Sequence, residues 1–212
     1  MTEIDDVRVT RESYDEIAEL YTTTFGQPIE ENPFDRAMLD VFAAGVHGTE
    51  SGLVADLGCG PGRAARYLDS LGLNVFGLDL SAEMISRARA TAPHLRFEVG
   101  SMEKLDLADA SLAGIVAWYS IIHTPPHRIP AVLGEFARVL RPGGHALFAF
   151  QASDESRGIQ EHDHKVAPSY RWAPDTLAAT LEELGFIVTA RMSRTALPDE
   201  RTPQGCLLAV RS

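Results

Sequence analysis

The nine residues from Val54 to Gly62 constrain the fold of this chain more than any other segment. They read Val-Ala-Asp-Leu-Gly-Cys-Gly-Pro-Gly, an apolar run followed by glycine at every second position. Because glycine lacks a Cβ, such a turn can bend sharply and let its backbone approach a ligand closely. A buried strand that enters this turn and continues into a helix at Arg63 is typical of a βαβ unit that binds a nucleotide. The next apolar segment, 74–79, ends in an acid, Asp79, and completes the unit.

The residues in and around the glycine turn (58–62) separate the nucleotides that such a unit could bind. The nicotinamide fingerprint needs a small residue at its third glycine position, where this chain has Arg63. A phosphate-binding P-loop would end in Gly-Lys-Ser or Gly-Lys-Thr, which this sequence lacks. Asp56 would repel a pyrophosphate, whereas S-adenosylmethionine has no phosphate and carries a sulfonium and an ammonium. The pattern therefore favours S-adenosylmethionine, with Asp56 attracting its cationic end.

Three segments in this order resemble the class I S-adenosylmethionine-dependent methyltransferases. They are Asp56 to Gly62, Gly77 to Ser81, and Glu135 to Gly144. The resemblance spans roughly Tyr14 to Arg211, which is nearly the whole chain. It implies a Rossmann-like fold, S-adenosylmethionine as the cofactor and S-adenosylhomocysteine as the product, and it says little about the methyl acceptor.

The predicted cofactor site lies beyond the carboxyl ends of the strands, where open sheets of this type bind ligands. Asp79 is expected to accept hydrogen bonds from both ribose hydroxyls, while the amides of the glycine turn face the ligand. The resemblance implies contacts around the adenine at Ser101 and Met102, although Ser101 could instead cap a turn. Two tyrosines of the first helix either close over the methionine moiety or simply pack. The full predicted set is Asp56, Gly58, Cys59, Gly60, Gly62, Asp79, Leu80, Ser101, Met102, Trp118, Tyr14 and Tyr21.

His123 is the predicted catalytic residue. It follows the fourth strand, where related proteins place groups near the sulfonium and the acceptor. Imidazole is the side chain whose unperturbed pKa suits proton removal near neutrality, so His123 is a candidate general base for a hydroxyl or a protonated amine. The alternative is that His123 packs at a helix start and orients the loop, since transfer to a good nucleophile needs no base.

The insertion 152–172, together with Tyr119, is the predicted acceptor side. It is long for a connection, and long loops beside a site are often functional; a solvated loop without specific contacts is the alternative. The predicted substrate residues are Tyr119, His162, His164, Tyr170 and Trp172. The run from His162 to His164 could suggest a metal, but no Cys or further His has ligand spacing, and no metal is expected.

The alternation of apolar segments predicts one doubly wound α/β domain over 1–212, with an N-terminal helical cap (1–45). A Rossmann-like sheet of seven strands is expected, mostly parallel, with an antiparallel last strand and helices on both faces. The expected strands are 53–57, 74–79, 95–99, 113–119, 145–151, 186–193 and 206–211. The expected helices are 10–25, 34–44, 62–71, 81–91, 125–140 with Thr124 as N-cap, and 174–185.

The charge and the cysteines limit the partners. The net charge is −11, and residues 1–40 hold −8 of it, which disfavours nucleic acid and anionic membrane surfaces; the acids could also simply solubilise the first helix. Cys59 and Cys206 are expected as unpaired buried thiols, consistent with a reducing cytoplasm. No signal peptide or membrane span is expected. The oligomeric state stays open.

The resulting expectation is methyl transfer from S-adenosylmethionine to an oxygen, nitrogen or carbon nucleophile of a small metabolite. Only the cap and the insertion remain, outside the core, to build an acceptor site. Two alternatives are a non-catalytic S-adenosylmethionine-binding sensor or partner subunit, and a nicotinamide-dependent oxidoreductase.

Overall fold

A computed structural model describes residues 5–154, 158–198 and 200–212. The first four residues of the cap and residues 155–157 of the insertion therefore lie outside the described residues. The helices are α1 (Asp5–Phe25), α2 (Pro33–His47), α3 (Arg63–Ser70), α4 (Ala82–Thr91), α5 (Ile129–Val139) and α6 (Pro174–Glu183). The strands are β1 (Leu53–Leu57), β2 (Asn74–Asp79), β3 (Arg96–Val99), β4 (Leu112–Trp118), β5 (Leu140–Gln151), β6 (Gln160–Asp163), β7 (Pro168–Arg171), β8 (Phe186–Arg194) and β9 (Gln204–Arg211).

Seven of these strands form one sheet in the order β3-β2-β1-β4-β5-β9-β8. Strands β1 to β5 pair in parallel, and β9 pairs antiparallel with both of its neighbours, β5 and β8. The prediction of a seven-stranded, mostly parallel sheet with an antiparallel last strand is confirmed. The parallel order brings the carboxyl ends of β1, β2 and β4 to the same edge of the sheet.

The sheet is covered on both faces, which is why its central strands are continuously apolar. One buried cluster joins α5 and α6 to one face, through side chains such as Phe136, Phe148 and Leu177. A second joins α2, α3 and α4 to the other face, through side chains such as Phe42, Leu68 and Leu147. The predicted helices on both faces are confirmed. Each of the two cores lies between the sheet and one helical layer.

Three segments differ most from the prediction, and the first is α1, which begins at Asp5 rather than at residue 10. The helix expected over 125–140 begins only at Ile129, after a 3-10 helix at Ile121–His123, and the proposed cap at Thr124 is wrong. Thr124 and Pro125 each precede a proline, and that position disfavours helical backbone. In addition, β5 begins at Leu140 rather than at 145.

The insertion is a hairpin rather than an irregular loop. Its strands β6 and β7 pair antiparallel, from Gln160 opposite Arg171 to Asp163 opposite Pro168. An isolated bridge between Ala152 and Trp172 joins the base of the hairpin to the end of β5. Among the described residues, the helices are all too short or too polar to cross a membrane.

Candidate functional site

The glycine turn has the backbone conformation that its sequence predicted. Gly58, Gly60 and Gly62 have φ values of 74°, 51° and 79°, a region that only glycine enters without strain. The amides of Gly58 and Cys59 donate to the carbonyl oxygen of Leu78 at 2.7 and 3.0 Å. These two bonds fix the turn against the end of β2. Gly62 is the N-cap of α3, so the turn leads directly into that helix.

Asp79 lies at the carboxyl end of β2, directly across from the turn. Its Oδ2 accepts from the amide of Gly60 at 2.7 Å, and its Oδ1 accepts from the amide of Ser81 at 2.9 Å. Burial raises the pKa of Asp79, although these amide bonds work in the opposite direction. An ionised carboxylate has about four acceptor positions. Asp79 can therefore hold the turn and still accept two further hydrogen bonds from a ligand.

A cleft of about 620 Å³ opens at this edge of the sheet. Eight of the predicted cofactor residues line it: Tyr14, Tyr21, Gly58, Gly60, Asp79, Leu80, Met102 and Trp118. The predicted residues Tyr119 and His123 line it as well. The cleft thus joins α1 of the cap to the ends of β1, β2 and β4.

Four predicted cofactor residues do not line the cleft. The side chain of Cys59 is buried in the core under α2 and α3, and Gly62 packs against Phe97. The hydroxyl oxygen of Ser101 accepts a hydrogen bond from the amide of Glu103 at 3.2 Å, so this side chain caps a turn. Asp56 lies behind the turn.

The carboxyl group of Asp56 points toward α3 rather than into the cleft. Its Oδ2 accepts from the amide of Ala65 at 3.0 Å, and its Oδ1 has no hydrogen-bond partner among the described residues. Asp56 is 1% exposed, and this burial raises its pKa to about 7. The geometry gives Asp56 a part in holding the start of α3.

The ionisation of Asp56 predicts a specific dependence of stability on pH. A folded-state pKa of about 7, against 3.8 in the unfolded chain, means that stability is lost as pH rises from about 4 through 7. Replacing Asp56 with Asn removes the charge and keeps an acceptor for Ala65. The variant's free energy of unfolding, taken relative to that of the wild type, should increase by about 2–3 kcal/mol from pH 5 to pH 8. Urea unfolding at both pH values measures this gain, and an equal gap at the two values would contradict the assignment.

His123 is held at both ring nitrogens. Its Nδ1 lies 2.8 Å from the carbonyl oxygen of Pro168, and its Nε2 lies 2.9 Å from the hydroxyl of Tyr14. Because a carbonyl can only accept, Nδ1 carries the proton and Nε2 accepts from Tyr14. Burial lowers the pKa of His123 below its usual 6.5, so the ring is neutral at pH 7. These two hydrogen bonds join three separate segments: α1, the loop after β4, and the hairpin.

The four predicted substrate residues of the insertion lie in three different places. The ring of His164 meets that of His123 edge-on, with 5.0 Å between the ring centroids. Burial lowers the pKa of His164 to about 4. His162 and Tyr170 line a second cleft on the hairpin itself. Trp172 is fully buried in the core beside β5. Of the four, His164 is the one whose ring meets that of the cleft residue His123. Across the described ranges, no three acidic, His or Cys side chains lie close enough to hold a metal ion.

Polar contacts hold α1 over the cleft. Asp15 accepts from the hydroxyl of Ser81 at 2.6 Å and from the amide of Glu83 at 3.3 Å, at the start of α4. Arg128 forms ion pairs with Asp6 of α1 and with Glu103 of the loop before β4. These contacts anchor both the first turns and the middle of α1 to the domain.

Several residues that line the cleft are not among those predicted from the sequence. Gly100 and Ser120 follow the ends of β3 and β4, positions that the carboxyl-end rule already indicates. Arg11 lies one helical turn before Tyr14, so the periodicity that selected the tyrosines could have identified it. Asp15 and Arg128 act through long-range contacts, for which the sequence carries no local signal.

Comparison with known proteins agrees with this geometry. A family model described as a methyltransferase domain matches residues 54–144. The malonyl-(acyl-carrier protein) O-methyltransferase of Pectobacterium atrosepticum is 41% identical over 100 residues, which are 47% of this chain and 39% of that protein. The chain spans about half the length of the curated relatives it matches, with shares from 39% to 59%.

Two solved structures share the fold along nearly the whole chain. The 1,6-didemethyltoxoflavin-N1-methyltransferase of Burkholderia thailandensis, with 1,6-didemethyltoxoflavin and S-adenosylhomocysteine bound, has a TM-score of 0.75 at 19% identity and covers 97% of this chain and 88% of its own. Magnesium protoporphyrin IX methyltransferase from Synechocystis PCC 6803, with bound S-adenosylmethionine, has a TM-score of 0.74 at 18% identity and covers all of both chains. The three motifs, the strand order and the domain match over residues 54–144 together support a class I S-adenosylmethionine-dependent methyltransferase.

Proposed function

We propose that this protein transfers the methyl group of S-adenosylmethionine to an oxygen, nitrogen or carbon nucleophile of a small metabolite, and releases S-adenosylhomocysteine. The observation that carries the proposal is the cleft at the carboxyl edge of the sheet, where Gly60, Asp79 and Trp118 meet beneath α1. The methyltransferase domain match over residues 54–144 disfavours the nicotinamide alternative. It leaves the sensor alternative, which predicts cofactor binding without turnover.

The proposed orientation of the cofactor follows from the groups around the cleft. Asp79 accepts the two ribose hydroxyls, and the open backbone at Gly60 lets the ligand approach closely. Met102 contributes apolar surface on the adenine side. Tyr14 and Tyr21, whose rings meet edge-on at 5.7 Å, cover the methionine end. In this proposal Asp56 acts from behind the turn, where its charge favours the cationic end of the cofactor.

A small acceptor is the proposal that fits the described part of the chain. Outside the core, the cap (1–45) and the insertion (152–172) are the parts that can enclose a substrate. The net charge of −11 opposes a phosphate backbone, so nucleic acid is a poor acceptor. The hairpin approaches the cleft at His123, through Pro168 and His164, and would form the outer wall of the acceptor site.

The chemistry is an in-line displacement at the methyl carbon. The acceptor nucleophile forms the new bond as the bond from sulfur to the methyl carbon breaks, and the electron pair stays on sulfur. The protein has to align the two reactants and exclude water from the site. For a hydroxyl acceptor, we propose that its proton passes to the oxygen of Tyr14 while the Tyr14 proton passes to Nε2 of His123. Burial raises the pKa of Tyr14 well above 10, so the two transfers occur together.

Substitutions at His123 and Tyr14 test the proposed proton transfer by kinetics. Replacing His123 with Ala, or Tyr14 with Phe, is expected to lower kcat about 100-fold with a hydroxyl acceptor and to leave cofactor affinity within about threefold. Because burial lowers the pKa of His123, the acid limb of the wild-type pH profile should lie below pH 6.5 and disappear in the His123 variant. Arg36→Ala, on the outer surface of α2, is the control. Unchanged turnover at every pH would remove His123 from the mechanism.

The function itself is tested by product formation. The protein is incubated with S-adenosylmethionine labelled in its methyl group and with fractionated small metabolites, and S-adenosylhomocysteine and labelled product are measured together. We expect equal amounts of both in at least one fraction. Cofactor binding without any S-adenosylhomocysteine above the no-acceptor control would favour the sensor alternative.

A further inference from the structure

The first half of α1 bridges the two loops that follow β2 and β3. Asp15 accepts a hydrogen bond from the hydroxyl of Ser81, just after β2. Nearer the start of α1, Asp6 pairs with Arg128, which also pairs with Glu103 in the loop between β3 and β4. Because an α-helix rises 1.5 Å per residue, these two anchors are about 14 Å apart along the helix axis. The part of α1 between them therefore lies over the gap between the two loops.

Arg11 belongs to this bridging part of α1 and lines the cleft. One of its terminal nitrogens lies 3.8 Å from Oδ2 of Asp15, and the other oxygen of Asp15 holds Ser81. The guanidinium therefore lies on the β2 side of the cleft, where Leu80 follows Asp79. The side chain of Arg11 is 32% exposed, so the protein already covers most of it.

The adenine of the cofactor would lie in the same part of the cleft. In the proposed orientation Asp79 binds the ribose, and the base extends toward Leu80 and Met102. The described lining residues that come from the ends of β2 and β3 and from the start of α4 are Asp79, Leu80, Ser81, Met84, Gly100 and Met102. These residues offer apolar contact to one face of the base, but none of them has a planar group with which to stack. The face that is turned toward α1 would meet Arg11.

We propose that the guanidinium of Arg11 stacks on the adenine of bound S-adenosylmethionine, which makes Arg11 a further cofactor-binding residue. Guanidinium groups stack on aromatic faces, and proteins use the plane of Arg in this way to hold nucleobases. Leu80 and Met102 cover the opposite face of the base in this arrangement. The nearby carboxylates of Glu12 and Asp15 balance the charge of Arg11 and hold its guanidinium near the start of α4.

This inference rests on the proposed function, and its test compares two ligands that share the adenine. S-adenosylhomocysteine carries the amino-acid end, whereas 5′-methylthioadenosine has the base and the ribose but neither an ammonium nor a carboxylate. Calorimetry gives the Kd of each ligand, with displacement titration for the weaker one. We expect Arg11→Ala to weaken both ligands by the same factor, about fivefold to tenfold. Arg11→Lys keeps the charge but lacks the plane, and it should weaken both about threefold.

Arg8→Ala is the matched control. Arg8 lies one helical turn earlier on α1 and pairs with Glu12, as Arg11 does, but it is not among the described residues that line the cleft. The substitution removes the same charge from the same helix, and it should leave both affinities within about twofold. Thermal unfolding establishes that all three variants are folded.

Three results would overturn the inference and leave the proposed function standing. A loss confined to S-adenosylhomocysteine would mean that Arg11 holds the carboxylate rather than the base. Equal losses in Arg8→Ala and Arg11→Ala would assign the effect to α1 as a whole. Unchanged affinities in Arg11→Ala would mean that Arg11 does not contact the cofactor. If the wild-type protein bound neither ligand, the proposed function itself would be wrong, and the inference with it.

Discussion

Replacing Asp79 with Ala is expected to weaken S-adenosylmethionine binding about 100-fold. In the proposed complex both oxygens of Asp79 accept from ribose hydroxyls, in addition to the amides of Gly60 and Ser81. Hydrogen bonds to a charged group contribute about 1.5–3 kcal/mol each, and about 3 kcal/mol in total corresponds to the 100-fold loss. Isothermal titration calorimetry of the two proteins with S-adenosylmethionine measures the difference directly.

The control for this variant is Asp69→Ala. Asp69 is an aspartate of α3 that pairs with His94 on the surface, away from the cleft. The substitution Asp69→Ala removes the same charge. It should leave the affinity for S-adenosylmethionine within about twofold, because exposed ion pairs contribute little. If Asp79→Ala is folded and binds the cofactor as tightly as Asp69→Ala, Asp79 does not contact the ribose.

Alanine substitutions at two residues of the glycine turn are expected to affect different properties. Gly58→Ala should mainly lower stability, and Gly60→Ala should mainly weaken cofactor binding. A Cβ on Gly58 would lie 2.3 Å from the Cβ of Ser120, at a φ of 74°. Left-handed strain and overpacking together should lower the free energy of unfolding by about 3 kcal/mol. A Cβ on Gly60 would meet no atom within 4 Å, because it would project into the cleft. Gly60→Ala should therefore cost only about 1 kcal/mol of stability but weaken cofactor binding at least tenfold, by about 1.4 kcal/mol.

Each variant serves as the control for the other. Urea unfolding without ligand gives the stability, and calorimetry with S-adenosylhomocysteine gives the affinity. We expect Gly58→Ala to be the less stable variant and Gly60→Ala to be the one that binds S-adenosylhomocysteine more weakly. Tight cofactor binding by Gly60→Ala would mean that the ligand does not approach the turn at this residue.

Much of the site could be predicted because its residues follow the ends of strands. The strands were recognisable from apolar runs, and a parallel sheet brings their carboxyl ends together. Gly60, Asp79, Trp118 and His123 were identified in this way, and all four line the cleft. The two tyrosines of α1 were identified from helical periodicity, which groups residues on one face without showing what that face contacts.

The remaining features depend on contacts that a sequence does not display. The direction of the Asp56 side chain is set by the amide of Ala65, nine residues away on the next helix. The antiparallel register of β9 between β5 and β8, which brings Gln151 and Arg194 beside Gln204, likewise has no local signal in the sequence. The hairpin in the insertion was missed because its short strands carry charged and polar residues rather than an apolar alternation.

Calorimetric titration of the wild-type protein measures directly whether the cleft binds S-adenosylmethionine. We expect S-adenosylmethionine and S-adenosylhomocysteine each to bind with a Kd in the micromolar range, equivalent to roughly −8 kcal/mol, and with one site per chain. We also expect the Asp79→Ala protein to lose most of this binding. If the folded wild-type protein bound neither compound, the glycine turn and Asp79 would have another role, and the proposed methyl transfer would be wrong.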